Sequence, residues 1–168
     1  MKSIQLAHGS GGLAMQQLID GLFMKAFANS WLAEQEDQAR LSLASLTAHG
    51  DRLAFSTDSY VIDPLFFPGG NIGKLAICGT ANDVAVSGAV PRYLSCGFII
   101  EEGLPLETLE AVVNSMAETA KAADIAIVTG DTKVVGRGAA DKLFINTAGM
   151  GAIPSDIHWG AATLTPGD

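Results

Sequence analysis

Apolar residues recur at helical spacing in two segments of the chain, and a third segment is rich in small residues. In residues 13–28 they are three or four positions apart, which predicts a helix with one buried face. Residues 105–120 have the same spacing, and the proline at their start suits the first turn of a helix. Residues 73–88 are rich in Ala, Gly and Ser, so they predict a third helix that packs closely against its neighbour.

Other segments have the alternating or short apolar patterns that are typical of strands. Residues 40–46 and 53–57 flank a His-Gly-Asp turn and predict a hairpin. Further strands are predicted at residues 93–100, 125–128 and 143–151. The resulting order is helix, two strands, helix, strand, helix, strand, strand. It predicts an α+β fold in which a mixed β-sheet is covered by helices on one face.

Length and charge narrow the classes of function. The chain has 168 residues, which suits one domain, and its net charge of −8 argues against nucleic-acid binding and against an anionic membrane surface. Its long uncharged apolar stretch, residues 143–155, is shorter than the roughly 20 residues of a membrane-spanning helix. The N-terminus lacks the apolar core of a signal peptide. Cys78 and Cys96 form no metal-binding or redox pair, which favours a reducing cytoplasm.

Four polar or glycine-rich segments fall where ligand-binding groups are common, at or near the ends of predicted elements. Each also has a purely structural interpretation, as a flexible lead-in, a solvated edge or an ordinary polar turn. Together they offer carboxylates, one lysine and a glycine-rich loop, a set that suits a triphosphate bridged by Mg²⁺. The segments are residues 8–12, 57–59, 80–84 and 129–133.

Five motifs occur in the order that is known from one family. They resemble the N-terminal half of the HypE family of hydrogenase maturation factors. This family belongs to the superfamily of aminoimidazole ribonucleotide synthetase, selenophosphate synthetase and thiamine monophosphate kinase. The motifs are His8-Gly-Ser-Gly-Gly12, Phe55-Ser-Thr-Asp-Ser59, Pro64-Leu-Phe-Phe-Pro-Gly-Gly70, Gly79-Thr-Ala-Asn-Asp-Val-Ala85 and Gly130-Asp-Thr-Lys-Val-Val135.

The resemblance implies an ATP-dependent carbamoyl dehydratase. A C-terminal cysteine receives a carbamoyl group from HypF, and ATP activates the carboxamide oxygen so that its loss leaves a thiocyanate. The cyanide then reaches the iron of [NiFe]-hydrogenase through the HypC–HypD complex. The resemblance also implies a cytoplasmic homodimer in which the N-terminal sheets of two subunits pair into a β-barrel, with ATP near the interface.

The resemblance also implies roles for particular residues, with ATP and Mg²⁺ as cofactors. Asp83 and Lys133 are the catalytic candidates, and Lys133 would contact the phosphates or the reacting oxygen. The candidate metal ligands are Asp37, Asp58, Asp83 and Asp131, of which Asp37 departs from the family pattern because an expected alanine is missing beside it. The nucleotide-binding candidates are His8, Gly9, Ser10, Gly11, Gly12, Asn82, Thr132 and Lys133, with the glycine-rich residues forming a mobile flap.

The resemblance covers residues 1–168 as an N-terminal ATP-binding and dimerisation domain. The second domain and the cysteine tail of the family lie outside this sequence, so we expect this chain alone to be inactive. An alternative hypothesis is a non-catalytic module for dimerisation and partner docking, in which nucleotide binding needs the second domain. The sibling enzymes are disfavoured, because the glycine loop has no reactive cysteine and residues 36–39 lack the fuller acidic signature of the thiamine monophosphate kinases.

Overall fold

The computed structural model describes residues 3–167 as one mixed α+β unit. Its helices are α1 (Leu13–Leu18), α2 (Met24–Ala26), α3 (Leu43–Thr47), α4 (Ile72–Ala85) and α5 (Leu106–Ala122), and a π-helical segment (Ile19–Phe23) joins the first two. Its strands are β1 (Arg52–Tyr60), β2 (Phe66–Phe67), β3 (Gly70–Asn71), β4 (Val90–Glu101), β5 (Ala126–Val135) and β6 (Leu143–Ile153).

Four of the strands form the main sheet in the order β1-β6-β4-β5, and β2 and β3 form a separate small hairpin. The pairs β1–β6 and β4–β6 are antiparallel, whereas β4 and β5 are parallel. Helix α5 connects the two parallel strands, as a crossover of this kind requires. The strands β1 and β5 therefore lie at opposite edges of the sheet.

Helices cover one face of this sheet, as the sequence predicts. On β4 the side chains of Leu94, Cys96, Phe98 and Ile100 are buried at every second position. Helix α5 packs above them with four fully buried apolar residues, Leu109, Val112, Val113 and Met116. The core of the domain therefore lies between this face of the sheet and the helices.

The opposite face of the sheet exposes apolar side chains. Phe55 of β1 is 64% exposed and Ile99 of β4 is 43% exposed. The strand register places Phe55 beside Met150 of β6, and Ile99 beside Phe144. An apolar sheet face with this much exposure is the kind of surface that proteins bury against a partner.

The predicted hairpin at residues 40–46 is wrong, because part of this segment is helical. Ser42 caps α3 by accepting a hydrogen bond from the Ser45 amide over 3.3 Å. A serine that caps a helix in this way stabilises helical backbone at the residues that follow. Leu43 is 76% exposed, so the alternation of apolar residues here does not mark a buried strand face. Strand β1 pairs with β6 instead.

Two strands extend further than the sequence predicts. Strand β1 runs from Arg52 to Tyr60, so residues 57–59 lie within it rather than at its end. Strand β5 continues to Val135, so residues 129–133 are extended and not a glycine turn. Gly130 is required inside β5 because a Cβ atom there would collide with the carbonyl oxygen of Cys96 on β4.

The remaining predicted elements are confirmed with small shifts of their ends. The first helix runs from Leu13 to Ala26 through the π-helical segment, and α4 and α5 match residues 73–88 and 105–120. Residues 64–70, one of the five motifs, include the short strand β2 and the first residue of β3. None of the helices within residues 3–167 is long and apolar enough to cross a membrane.

Candidate functional site

Two of the predicted carboxylates lie together where α4 crosses β1. Ser56, Asp58 and Tyr60 share the helix-covered face of β1, because strand side chains alternate between faces. Asp83, on the last turn of α4, accepts a hydrogen bond from the Ser56 hydroxyl over 3.3 Å. Both carboxylates are exposed, and Asn82 is exposed beside Asp83. We call Asp58 and Asp83 the β1 carboxylate pair.

The Tyr60 phenol lies near both carboxylates. Burial of the ring raises the pKa of Tyr60 above its ordinary value, and the negative charges of Asp58 and Asp83 raise it further. The hydroxyl of Tyr60 hydrogen-bonds to Thr80 of α4 over 3.0 Å. It therefore stays protonated at neutral pH, next to two carboxylates that are open to solvent.

The other predicted charges lie at the opposite edge of the sheet, on β5. Lys133 Nζ lies 3.3 Å from Asp131 Oδ2, and the register places both residues on the apolar, open face. Both side chains are more than half exposed, so this ion pair contributes little to stability and is available to a ligand. Thr132, between them, is buried on the helix-covered face.

Asp37 is held near this edge by its backbone. The Thr129 hydroxyl of β5 donates a hydrogen bond to the Asp37 carbonyl oxygen over 3.2 Å. Asp37 and Asp131 both line a cleft of about 260 Å³ whose walls also include Phe23 and Phe98. The cleft is lined mainly by apolar side chains, and two acidic residues contribute to its wall. We call Asp37 and Asp131 the β5 carboxylate pair.

The glycine-rich segment packs beside the same strand. Residues Leu6–Gly9 form a 3-10 turn in which the Gln5 amide donates to His8 Nδ1 over 2.9 Å. A Cβ atom at Gly9 would lie 2.7 Å from the Val134 backbone nitrogen, so only glycine allows this approach to β5. Ser10 closes the turn by donating to the Ala7 carbonyl oxygen. At Gly11 and Gly12 no atom of residues 3–167 lies within 4 Å of a Cβ position, and both glycines are exposed.

One copy of the chain does not bring the four predicted metal ligands together. Across residues 3–167, no three carboxylate, histidine or cysteine groups are placed to hold a metal ion jointly. Asp58 and Asp131 belong to strands at opposite edges of the sheet, and these strands are three strand spacings or about 14 Å apart. Mg²⁺ in nucleotide sites usually takes one or two carboxylates and completes its shell with phosphate and water. Each pair supplies that number of carboxylates.

Sequence reasoning missed the polar residues that hold the β1 carboxylate pair in place. Asn146 of β6 donates to the Asp58 carbonyl oxygen and to the Ser59 hydroxyl, each over 3.0 Å. Thr80 and Thr147 form a buried hydrogen bond of 2.6 Å between α4 and β6. In the sequence, Thr80 and Thr147 appear only as threonines within an otherwise apolar helix or strand. Such threonines are typical of ordinary packing.

Comparison with known proteins gives the family context of this arrangement. Residues 35–153 match the family model of the AIR synthase related protein, N-terminal domain. The carbamoyl dehydratase HypE of Escherichia coli K12 is 86% identical over all 168 residues, which cover 50% of that protein. The chain thus spans about half the length of the curated relatives it matches.

Two solved structures are similar to the chain across most of its length. A crystal structure of hydrogenase maturation protein HypE in complex with ATP has a TM-score of 0.85 and 56% identity, over 90% of this chain and 44% of that chain. The crystal structure of a HypE–HypF complex has a TM-score of 0.67 and 46% identity, over 89% of this chain and 47% of that chain.

Proposed function

The chain belongs to the family of AIR synthase related proteins, and from this premise we propose that it is the Mg-ATP-binding, dimer-forming half of a HypE-type carbamoyl dehydratase. The observation that carries the proposal is the 86% identity, over the whole chain, to a protein named carbamoyl dehydratase HypE. The two free thiols, Cys78 and Cys96, suit a cytoplasmic protein.

The proposed reaction converts a carbamoylated cysteine of the complete protein to a thiocyanate. The carboxamide oxygen attacks the γ-phosphorus of ATP and ADP leaves. Departure of phosphate then carries that oxygen away, while the nitrogen gives up both protons and forms the C≡N bond. Mg²⁺, when bound, neutralises charge on the phosphates. Lys133 supplies a point charge to the phosphate oxygens, and its distance of 3.3 Å from Asp131 keeps it beside the proposed metal ligands.

The distribution of carboxylates supports a site that two copies of the chain complete. The β1 and β5 carboxylate pairs lie at opposite edges of one sheet, so a single copy offers two half-sites. Between them the open face exposes Phe55 and Ile99, which a second copy would bury. In a dimer whose sheets meet through this face, the β5 edge of one copy approaches the β1 edge of the other. One triphosphate would then contact both pairs.

The proposed partners are those of the HypE family. HypF would supply the carbamoyl group, and a complex of HypF with a relative that is 46% identical to this chain supports that assignment. The HypC–HypD complex would accept the cyanide. The net charge of −8 supports no role for nucleic acid.

A chimeric protein tests this function. We would join residues 1–168 to the C-terminal half of the E. coli relative and carbamoylate its terminal cysteine with HypF. The expected result is ATP-dependent loss of one water mass from the terminal peptide in mass spectrometry. A chimera with the Lys133→Ala substitution is the control for non-enzymatic loss. If the chimera folds, binds HypF and still leaves the carbamoyl group intact with Mg-ATP, the proposed function is wrong.

A further inference from the structure

A chain of three buried hydroxyl groups ties α4 to the sheet beneath the β1 carboxylate pair. Tyr60 of β1 hydrogen-bonds to Thr80 of α4 over 3.0 Å, and Thr80 hydrogen-bonds to Thr147 of β6 over 2.6 Å. This hydroxyl chain ends at the Ala76 carbonyl oxygen, 3.0 Å from Thr147 Oγ1. Thr80 and Thr147 are fully buried and Tyr60 is 6% exposed, so water does not substitute for these partners.

The number of available protons fixes which hydroxyl donates and which accepts along the hydroxyl chain. Each hydroxyl has a single proton to donate. Thr147 donates its proton to the Ala76 carbonyl, so Thr80 must donate to Thr147. Tyr60 is then the donor to Thr80.

Two glycines leave space for the hydroxyl chain. A Cβ atom at Gly79 would collide with the Tyr60 hydroxyl and would lie 3.1 Å from two ring carbons. A Cβ atom at Gly149 would lie 3.0 Å from the Thr80 methyl group. Gly79 and Thr80, in the motif of residues 79–85, therefore allow the contact with Tyr60. They lie about one helical turn before Asp83.

We propose that Tyr60, acting through Thr80, is a positioning residue that fixes the rotation of α4 and so aims the Asp83 carboxylate. Thr80 and Asp83 are three residues apart and lie on the same side of the helix. Ser56, the direct partner of Asp83, is on the same face of β1 as Tyr60. Two contacts, one buried and one exposed, thereby hold α4 against one strand. This inference rests on the proposed Mg-ATP site.

The test compares the two tyrosines of the chain. Tyr60→Phe removes the donor hydroxyl and keeps the ring, and Tyr93→Phe is the matched control, since Tyr93 packs edge-to-face on Trp31 outside the hydroxyl chain. For Tyr60→Phe we expect the Kd for ATP in the presence of Mg²⁺ to rise about fivefold, the loss typical of one neutral hydrogen bond. The Kd measured without Mg²⁺ should not change. Thr80→Ser keeps a hydroxyl and should leave the Kd for ATP in the presence of Mg²⁺ unchanged. Thr80→Val removes the hydroxyl and should raise that Kd as Tyr60→Phe does.

The results separate positioning from general loosening. Equal weakening with and without Mg²⁺ in Tyr60→Phe, or an unchanged Mg-ATP affinity, would overturn the inference. Hydrogen exchange provides a readout that does not depend on nucleotide. Tyr60→Phe should raise the exchange of α4 amides near Asp83 and leave α5 unchanged. If the unmodified chain binds no Mg-ATP, the proposed function is wrong. Hydrogen exchange then decides the positioning role by itself. Faster exchange confined to α4 in Tyr60→Phe supports the role, and the absence of such a change contradicts it.

Discussion

Replacing Asp83 by asparagine is expected to weaken the binding of Mg-ATP about 10- to 100-fold, the range found when groups around a metal are changed. The substitution keeps the size of the side chain and an oxygen that accepts the Ser56 hydroxyl, and it removes the negative charge. Because Asp83 is exposed, the free energy of unfolding should change by no more than about 0.5 kcal/mol. Calorimetric titration gives the affinity and thermal denaturation gives the stability. Asp156→Asn, which removes another exposed carboxylate, is the control.

A mixing experiment extends this prediction to the proposed dimer. Asp83→Asn and Asp131→Asn each damage one half-site, so neither variant alone should bind Mg-ATP tightly. In a mixed dimer whose sites span two copies, one site contains both substitutions and the other contains neither. Mixing the variants should therefore restore tight binding to about one site in four after random exchange of subunits. If mixing restores no binding while subunits exchange, each site lies within a single copy.

Replacing Gly130 by alanine is expected to destabilise the domain by about 2 kcal/mol, in the range for overpacked positions. The added Cβ collides with the Cys96 carbonyl oxygen, which belongs to the neighbouring strand and moves only if β4 and β5 separate. A loss of this size lowers the melting temperature of a protein of this length by about 4–8 °C. Circular dichroism on heating measures it.

Gly136→Ala is the matched control for this change. Within the described part of the chain, nothing lies within 4 Å of a Cβ position at Gly136, just after the end of β5, and its backbone does not need a positive φ. The melting temperature of the control should stay within about 2 °C of the unmodified chain, as for a substitution without new contacts. Equal melting temperatures for the two alanine variants would show that β4 and β5 do not approach as described.

Local sequence patterns predict those elements whose buried faces follow a single period. Helix α5 is an example, because the apolar residues that predict it include four that are fully buried in the structure. In β4, likewise, the alternating apolar residues are the ones whose side chains are buried. The pattern fails at residues 40–46, where short-range capping by Ser42 decides the backbone and the apolar Leu43 points to solvent. It also fails at Gly130, since a glycine in a strand and a glycine in a turn look alike without the neighbouring strand.

The candidate site is predicted less well, because its arrangement depends on strand order. The motifs identify the residue types, and the family resemblance assigns roles to them. Nothing in the local sequence says that β1 and β5 occupy opposite edges, so it does not show that the candidate metal ligands fall into two pairs within one copy of the chain. The buried hydroxyl chain of Tyr60, Thr80 and Thr147 is invisible for the same reason, since its members come from three separate elements.

A calorimetric titration of ATP into the 168-residue chain, with Mg²⁺ and with a chelator, shows whether this chain holds a Mg-ATP site. We expect saturable binding with Mg²⁺ that disappears when the metal is removed, in a sample whose light scattering corresponds to a dimer. A folded dimer that binds no nucleotide under either condition would contradict the account. It would instead favour a module for dimerisation and partner docking, whose nucleotide site needs the second domain.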